Sequence, residues 1–248
     1  MSKVAVITGA AGGIGYATGI ELLKAGHLVY FTDRQQTMLD GIAQDLRANA
    51  RVAVLDLAHS DQIDSVMRSI LTQHGKVDIL VNNAGMTIKG KNGKPQSIED
   101  ADEAGFEQMM RVNVLAMMLM TQKVLPGMKQ AGWGRIVNVA SLAGRSKSIV
   151  SGPLYMMSKA AVLGLTRCTA AEMAPHGITC NAVAPGRVLS PMTENAAPGV
   201  NESYAEQIPV RRIGTPLEVA GAIAYLCSEN AGFTTGAVID INGGFFMS

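Results

Sequence analysis

Short apolar runs alternate with longer segments of helical character along the whole 248-residue chain. Nearly continuous apolar runs of this length are typical of strands that are buried on both faces of a parallel sheet. The predicted strands are Val4–Ile7, Leu28–Thr32, Val52–Leu55, Asp78–Val81, Arg135–Val139, Ile178–Val183 and Ala237–Ile241. The predicted helices are Gly13–Ala25, Gln35–Ala48, Ser60–His74, Ala101–Gln130, Pro153–Ala174 and Pro216–Ser228. This alternation predicts an α/β fold, a doubly wound sheet of about seven parallel strands with helices on both faces.

The alternation runs through the chain without a repeat, a low-complexity tract or a linker, so residues 1–248 are expected to form one domain. Two segments interrupt it, at residues 86–97 and 186–209, and both are predicted to be surface loops that leave the carboxyl ends of strands. Ligands of open α/β sheets bind beyond those ends. We therefore expect the two segments to form walls of a substrate cleft.

Charge and cysteine content narrow the classes of partner. Lys and Arg number 21 against 20 Asp and Glu, so the chain has no basic stripe, and we expect neither a nucleic-acid partner nor a membrane surface. No apolar stretch approaches the roughly 18 residues that a spanning helix needs. Cys168, Cys180 and Cys227 are far apart in sequence, which predicts neither disulfides nor a metal site and fits a cytoplasmic protein.

A glycine-rich turn joins the first strand to the first helix. Gly9, Gly13 and Gly15 fall where a backbone must approach a ligand closely, and helix N-termini bind phosphate. The order of strand, glycines, helix and a later acidic residue favours a dinucleotide site, although glycines also form ordinary strand-to-helix turns.

Asp33 is that acidic residue, at the end of the second strand. A carboxylate there accepts hydrogen bonds from ribose hydroxyls and repels a 2′-phosphate, so NAD is favoured over NADP. The neighbouring Arg34 weakens this preference if it pairs with a phosphate, but it is equally compatible with solvation or with stacking on adenine. The alternative for Asp33 is an N-cap of the following helix.

Tyr155 and Lys159 are four residues apart, which places them on one face of a helix. At about 5 Å and an effective dielectric of about 20, the ammonium stabilises a phenolate by about 3 kcal/mol. The spacing therefore predicts that the pKa of Tyr155 is lowered from about 10 toward neutral pH. The alternative is a surface tyrosine beside a solvated lysine.

With these motifs in order, the sequence resembles the short-chain dehydrogenase/reductase family over essentially its whole length. The matching stretches are Thr8–Gly15, Asp56-Leu57, Asn82–Gly85, Asn113, Ser141, Tyr155 with Lys159, Asn181 through Gly186, and Ile241–Gly244. Two positions depart from the usual pattern, Ser190 in place of Thr and Asn242 in place of Asp. The resemblance implies a Rossmann-type fold and a nicotinamide cofactor.

The resemblance also implies a role for each matching residue. Tyr155 would be the general acid and base, and Ser141 would hydrogen-bond the substrate oxygen. Lys159 would bind the nicotinamide ribose and lower the phenol pKa, and Asn113 would anchor a water in the proton path. The implied cofactor-binding residues are Gly9, Gly13, Ile14, Gly15, Asp33, Arg34, Asp56, Leu57, Asn83, Ala84, Gly85, Tyr155, Lys159, Pro185, Gly186, Val188 and Ser190, with Asp56 on the adenine amino group and the Val188 backbone on the carboxamide.

The expected function is hydride transfer between NAD(H) and a small secondary alcohol or ketone. One alternative is an NADP-preferring reductase of carrier-bound 3-oxoacyl chains, and another is a nucleotide-binding protein without catalysis. A homotetramer is expected from the resemblance, and methionines on more than one face of the helix Ala101–Gln130 are compatible with it. Lys89, Lys91 and Lys94 either attract an anionic substrate or form a solvated loop.

Overall fold

The computed structural model describes residues 2–45, 48–90, 93–148, 150–190, 193 and 199–247. Seven parallel strands form one sheet in the order β3-β2-β1-β4-β5-β6-β7, which confirms the doubly wound α/β fold. The strands are β1 Val4–Thr8, β2 Leu28–Asp33, β3 Ala50–Val54, β4 Ile79–Asn82, β5 Gly134–Val139, β6 Ile178–Pro185 and β7 Val238–Ile241. Their order reverses between β1 and β4, so a crevice is expected to open there at the carboxyl ends of the strands.

Eight α-helices lie within the described part of the chain. They are α1 Gly13–Lys24, α2 Gln36–Asp45, α3 Ser60–His74, α4 Glu103–Met110, α5 Ala116–Ala131, α6 Pro153–Met173, α7 Val200–Gln207 and α8 Pro216–Cys227. None of the helices in these ranges is long and apolar enough to cross a membrane.

Alternate strand residues build a core on each face of the sheet. In β1, the side chain of Ile7 packs with the α1, α2 and α8 layer, whereas the side chain of Val6 packs with the α3, α5 and α6 layer. Phe31 of β2 belongs to the first layer, and a Cβ atom at Gly19 of α1 would lie 2.1 Å from the Phe31 ring. Burial on both faces explains why the strands are nearly continuously apolar.

The expected helix Ala101–Gln130 is observed as a continuous helical run from Glu103 to Ala131, but it is not regular throughout. It consists of α4 and α5 joined by a π-helical turn at Arg111–Leu115. Long-range hydrogen bonds of Asn113 hold this turn, and a local apolar pattern does not contain them. π-turns of this kind occur frequently at functional sites.

The other differences are at element ends. The predicted helix Gln35–Ala48 is observed as α2, which ends at Asp45 immediately before the undescribed residues 46–47. Segment 186–209 contains α7, so it is not wholly a loop. Within the two predicted cleft walls, residues 91–92, 191–192 and 194–198 lie outside the described residues, and Lys91 is among them.

Candidate active site

The glycine-rich turn at the end of β1 has the backbone that glycine permits. Gly9 and Gly13 have φ angles of 63° and 55°. A Cβ atom at Gly15 would lie 2.4 Å from the Gly9 carbonyl oxygen, so a side chain there would collide with the turn. Ile14 is the second residue of α1. The free N–H groups at the start of α1 therefore lie at the turn, as a phosphate-binding helix N-terminus requires.

The Asn83–Gly85 segment supports this turn from the neighbouring strand β4. Asn83 Nδ2 donates to the carbonyl oxygens of Thr8 and Gly9, both at 2.9 Å. Thr8 Oγ1 accepts from the backbone N–H groups of Asn83 and Ala84, both at 3.1 Å. Thr8 therefore holds the two segments together. It belongs to the Thr8–Gly15 motif, but the motif itself does not indicate these contacts.

Asp33 lies at the end of β2 and also contacts the glycine-rich turn. Its Oδ2 accepts a hydrogen bond of 3.1 Å from the Ala11 N–H, and its Oδ1 accepts one of 2.8 Å from the Arg34 N–H. Helix α2 begins only at Gln36, so the alternative of an N-cap is wrong. Arg34 is exposed beside this carboxylate.

The remaining predicted cofactor residues line two further strand ends. Asp56 Oδ1 accepts from the Ala58 N–H at 2.9 Å in the turn after β3, and the Leu57 side chain is buried in the core. Pro185 ends β6, and the Gly186 N–H donates to the Ile241 carbonyl at 2.9 Å. Leu57 can therefore contact a cofactor only through its backbone.

Val188 and Ser190 follow β6 toward the glycine-rich turn. The carbonyl oxygen of Val188 accepts from Thr193 Oγ1 at 2.9 Å, and the Ser190 N–H donates to the same hydroxyl at 2.8 Å. A Cβ atom at Gly13 would lie 3.7 Å from Ser190 Cβ, so Ser190 lies over the turn. The sequence pattern did not identify Thr193, because its partners are backbone groups of a loop.

Asn113 is fully buried in the π-turn between α4 and α5. Its Oδ1 accepts from the Met86 N–H at 2.8 Å, and its Nδ2 donates to the Met86 carbonyl at 3.0 Å. Nδ2 also donates to Ser158 Oγ at 3.0 Å, and Ser158 Oγ donates to the Tyr155 carbonyl at 2.8 Å. Ser158 thus joins Asn113 to the turn of α6 that carries Tyr155 and Lys159. No sequence motif marks Ser158, although it immediately precedes Lys159.

Lys159 is buried, at 3% relative exposure, on the same helix face as Tyr155. Its Nζ donates to the Val139 carbonyl at 2.8 Å and lies 5.7 Å from the Tyr155 ring centroid. A Cβ atom at Gly85 would lie 3.3 Å from Nζ, so the ammonium faces the cofactor crevice. Burial lowers the pKa of Lys159 to about 8.

Tyr155 differs from the expectation in its titration. Burial raises the pKa of the phenol, and hydrogen bonding with Ser141 only partly opposes that rise. The expectation of a pKa lowered by Lys159 is wrong for this structure, because desolvation of the phenolate is the largest cause and Ser141, not Lys159, is the group that opposes it. Ser141 follows β5 and accepts from the Ala143 N–H at 3.1 Å, so a short turn fixes its position.

The residues present fit a nicotinamide dinucleotide. The glycine-rich turn offers backbone donors for phosphate, Asp33 offers acceptor oxygens for ribose hydroxyls, and Lys159 keeps N–H groups beyond the one bonded to Val139. Ser141, Tyr155 and Lys159 meet beside this crevice, and they supply a proton donor and an oxygen-binding hydroxyl.

Comparisons with known proteins agree with this geometry. The family model described as enoyl-(acyl carrier protein) reductase matches residues 9–246. The chain is 36% identical to a 3-oxoacyl-[acyl-carrier-protein] reductase of Aquifex aeolicus, over 98% of this chain and 97% of that protein. It is 37% identical to the enzyme of that name from Thermotoga maritima, over 99% and 98% of the two chains. A solved 3-oxoacyl-[acyl-carrier protein] reductase from Brucella melitensis superposes with a TM-score of 0.92 at 31% identity, covering 99% of this chain and 92% of that one.

Proposed function

We propose that this chain, which belongs to the short-chain dehydrogenase/reductase family, reduces the 3-oxo group of a thioester-linked acyl chain to a hydroxyl group. The observation that carries the proposal is the meeting of Ser141, Tyr155 and Lys159 beside the glycine-rich turn. The names of its relatives support a 3-oxoacyl substrate over the simple alcohol or ketone expected first. The complete catalytic set disfavours a nucleotide-binding protein without catalysis.

A protonated Tyr155 supplies the proton that reduction of a carbonyl group needs. A nicotinamide dinucleotide, when bound, supplies the hydride that reduces the substrate carbonyl carbon. Because the pKa of Tyr155 is raised, the phenol is protonated at neutral pH and donates its proton to the carbonyl oxygen. Ser141 Oγ donates a hydrogen bond to the same oxygen and orients it, and Lys159 binds a ribose hydroxyl through its remaining N–H groups.

Asp33 supports NAD(H) as the preferred cofactor. Both of its oxygens already accept backbone hydrogen bonds at the site, which fixes the carboxylate at the end of β2. A 2′-phosphate there would be repelled by the fixed negative charge, whereas ribose hydroxyls would find an acceptor. The alternative of NADP preference would require Arg34, which is exposed, to compensate that repulsion.

The test is reduction of acetoacetyl thioesters by the full chain with NADH and with NADPH, followed by nicotinamide absorbance. We expect turnover by the wild type and its loss in Tyr155→Phe, with NADH binding retained in a fluorescence titration. Reduction is expected to be independent of pH around neutrality, and oxidation of the 3-hydroxy product to accelerate at alkaline pH. Near-normal activity of Tyr155→Phe, or no activity of the wild type on any 3-oxoacyl thioester, contradicts the proposal.

A cytoplasmic homotetramer is part of the same proposal. Large apolar side chains remain exposed on and after α8, where Leu217 is 58% exposed and Tyr225 is 45% exposed. Contact between subunits would bury such a surface. The relatives' names support no particular number of subunits.

A further inference from the structure

Arg187 carries a guanidinium group that the described residues around it satisfy only in part. The residue follows Gly186 at the end of β6, and its Nε donates a hydrogen bond of 2.8 Å to Asn201 Oδ1. The guanidinium carbon lies 5.4 Å from the centroid of the Tyr204 ring. Within the ranges that the structure describes, no carboxylate forms an ion pair with Arg187. The hydrogen bond of its side chain within those ranges is made by Nε, and its Nη groups form none there.

Arg187 is half-buried, and the aromatic side chains beside it are largely shielded from water. Tyr204 is only 6% exposed, and its ring stacks on Phe245 at a centroid distance of 5.2 Å. Burial lowers the pKa of Arg187, and the Tyr204 phenol opposes that lowering only in part. An anion that docks on a guanidinium in such a place compensates the lost hydration.

The position of Arg187 puts it at the substrate side of the crevice. Val139 of β5 pairs in parallel register with Val183 of β6, so the segments that carry Ser141 and Arg187 leave the same edge of the sheet from adjacent strands. Val188, the next residue, is the one whose backbone is expected at the nicotinamide carboxamide. The Arg187 side chain extends from there onto α7, one wall of the expected cleft.

We propose that Arg187 binds an anionic oxygen group of the substrate, a carboxylate or a phosphate, between the end of β6 and α7. The planar fork of donors matches both groups. The inference rests on the proposed function for the reaction, but the binding of the anion does not depend on turnover. Lys89 and Lys94 are weaker candidates, because both are exposed and their charges stay hydrated.

The kinetic test uses pairs of substrates that differ only in charge. One pair is 3-oxobutanoate and its ethyl ester, and the other is acetoacetyl phosphopantetheine and acetoacetyl pantetheine. We expect Arg187→Gln to raise KM about tenfold for the anionic member of one pair and to change KM of its neutral partner less than about twofold. An effect in the first pair identifies a carboxylate as the anion, and an effect in the second identifies a phosphate.

Two control variants separate charge from local structure. Asn201→Ala removes the hydrogen bond to Nε and leaves the guanidinium, whereas Arg167→Gln removes an exposed positive charge from α6. Neither is expected to change the ratio of KM between the members of a pair. Arg187→Lys keeps the charge and loses the fork, so it is expected to fall between wild type and Arg187→Gln. If Arg187→Gln does not fold, Arg187→Lys is the variant that tests the proposed anion site.

A binding measurement covers the case in which no ketone is reduced. The melting temperature of the full chain is followed with increasing 3-hydroxybutanoate or phosphopantetheine. We expect one of these anions to stabilise the wild type and the Arg167→Gln variant but not Arg187→Gln. This result without turnover would refute the proposed function and retain the anion site. Equal changes for charged and neutral compounds, or no difference between the Arg187 variants and wild type, overturns the inference.

Discussion

Tyr155 and Lys159 are the residues expected to take part in proton transfer. The pKa of each departs from its ordinary value, and burial is the main cause in both cases. Burial disfavours whichever form is charged, so it raises the pKa of the phenol and lowers that of the amine. Both groups are thus shifted toward their neutral forms, but Lys159, with a pKa of about 8, is still mostly charged at pH 7. A phenol that is protonated at neutral pH is suited to donate a proton rather than to accept one.

Burial of Lys159 predicts a pH dependence of stability. With a pKa of about 8 in the folded chain against an ordinary 10.5, the unfolded chain binds more protons between these values, so stability rises with pH through this window. We expect wild type to be less stable than Lys159→Met at pH 7 by about 3 kcal/mol and the gap to close toward pH 10. Urea unfolding of both proteins at the two pH values measures it. A difference in unfolding free energy between the two proteins that does not change with pH would refute a lowered pKa of Lys159 in the folded chain.

Asp33 predicts the choice of cofactor. We expect kcat/KM to be at least about tenfold higher with NADH than with NADPH, a difference of about 1.4 kcal/mol in transition-state stabilisation. Asp33→Asn should narrow the gap, because it removes the repulsion of a 2′-phosphate while keeping an oxygen for the Ala11 N–H. Kinetics with both cofactors measure this. An unchanged preference in Asp33→Asn would mean that Asp33 only supports the glycine-rich turn.

Between α4 and α5, the π-turn depends on hydrogen bonds that reach other elements. Asn113 bonds both backbone groups of Met86 after β4 and the hydroxyl of Ser158 on α6. The helix therefore departs from regular α geometry at the residue whose side chain connects these elements. The π-turn is therefore stabilised by contacts with other elements rather than by its own sequence.

Two substitutions measure how the π-turn is held. Asn113→Ala leaves the N–H and carbonyl of Met86 without their partner in a buried site, and we expect a loss of about 2–3 kcal/mol of unfolding free energy. Ser158→Ala leaves Asn113 bonded to Met86, and the expected loss is about 1 kcal/mol. Urea denaturation with circular dichroism measures both. Equal losses would show that the Met86 contacts are not the dominant ones.

At the scale of the whole molecule, the described surface around α8 is unusually apolar. Phe233 is fully exposed, and the hydroxyl of Tyr225 lies 3.4 Å from that of Thr234, next in sequence to Phe233. Two large aromatic side chains thus share one region of the surface. Such a region is favourable when a second subunit covers it.

This surface predicts the effect of charge on assembly. We expect light scattering after size exclusion to give a tetramer for the wild type and a smaller species for Phe233→Asp. The reason is that burying an unpaired carboxylate in an interface costs several kcal/mol of desolvation free energy. Ile98→Asp is the control, since Ile98 is 70% exposed in a different segment. A monomeric wild type, or equal behaviour of the two variants, would contradict an interface at Phe233.

The sequence by itself determined the order of strands and helices, the glycine-rich turn and the spacing of Tyr155 and Lys159. Each of these is written in local periodicity or in the conformational freedom of glycine, which depend on neighbouring residues only. The order of the elements and the apolar runs of the strands indicate a parallel sheet that is buried on both faces. The doubly wound sheet was therefore predictable from the sequence. The expected catalytic roles of Asn113 and Ser141 came instead from the resemblance to the family, and they stay predictions.

Tertiary structure alone decided the π-turn at Asn113, the raised pKa of Tyr155, the contact of Asp33 with Ala11 and the incompletely satisfied guanidinium of Arg187. The hydrogen bonds between Asp33 and Ala11, and between Asn113 and both Met86 and Ser158, join residues 22, 27 and 45 positions apart. Local sequence does not specify such partners, nor how much water a side chain keeps after packing. The energy of a buried charge or hydrogen bond depends on both, which is why the chemistry of these groups emerges only from the fold.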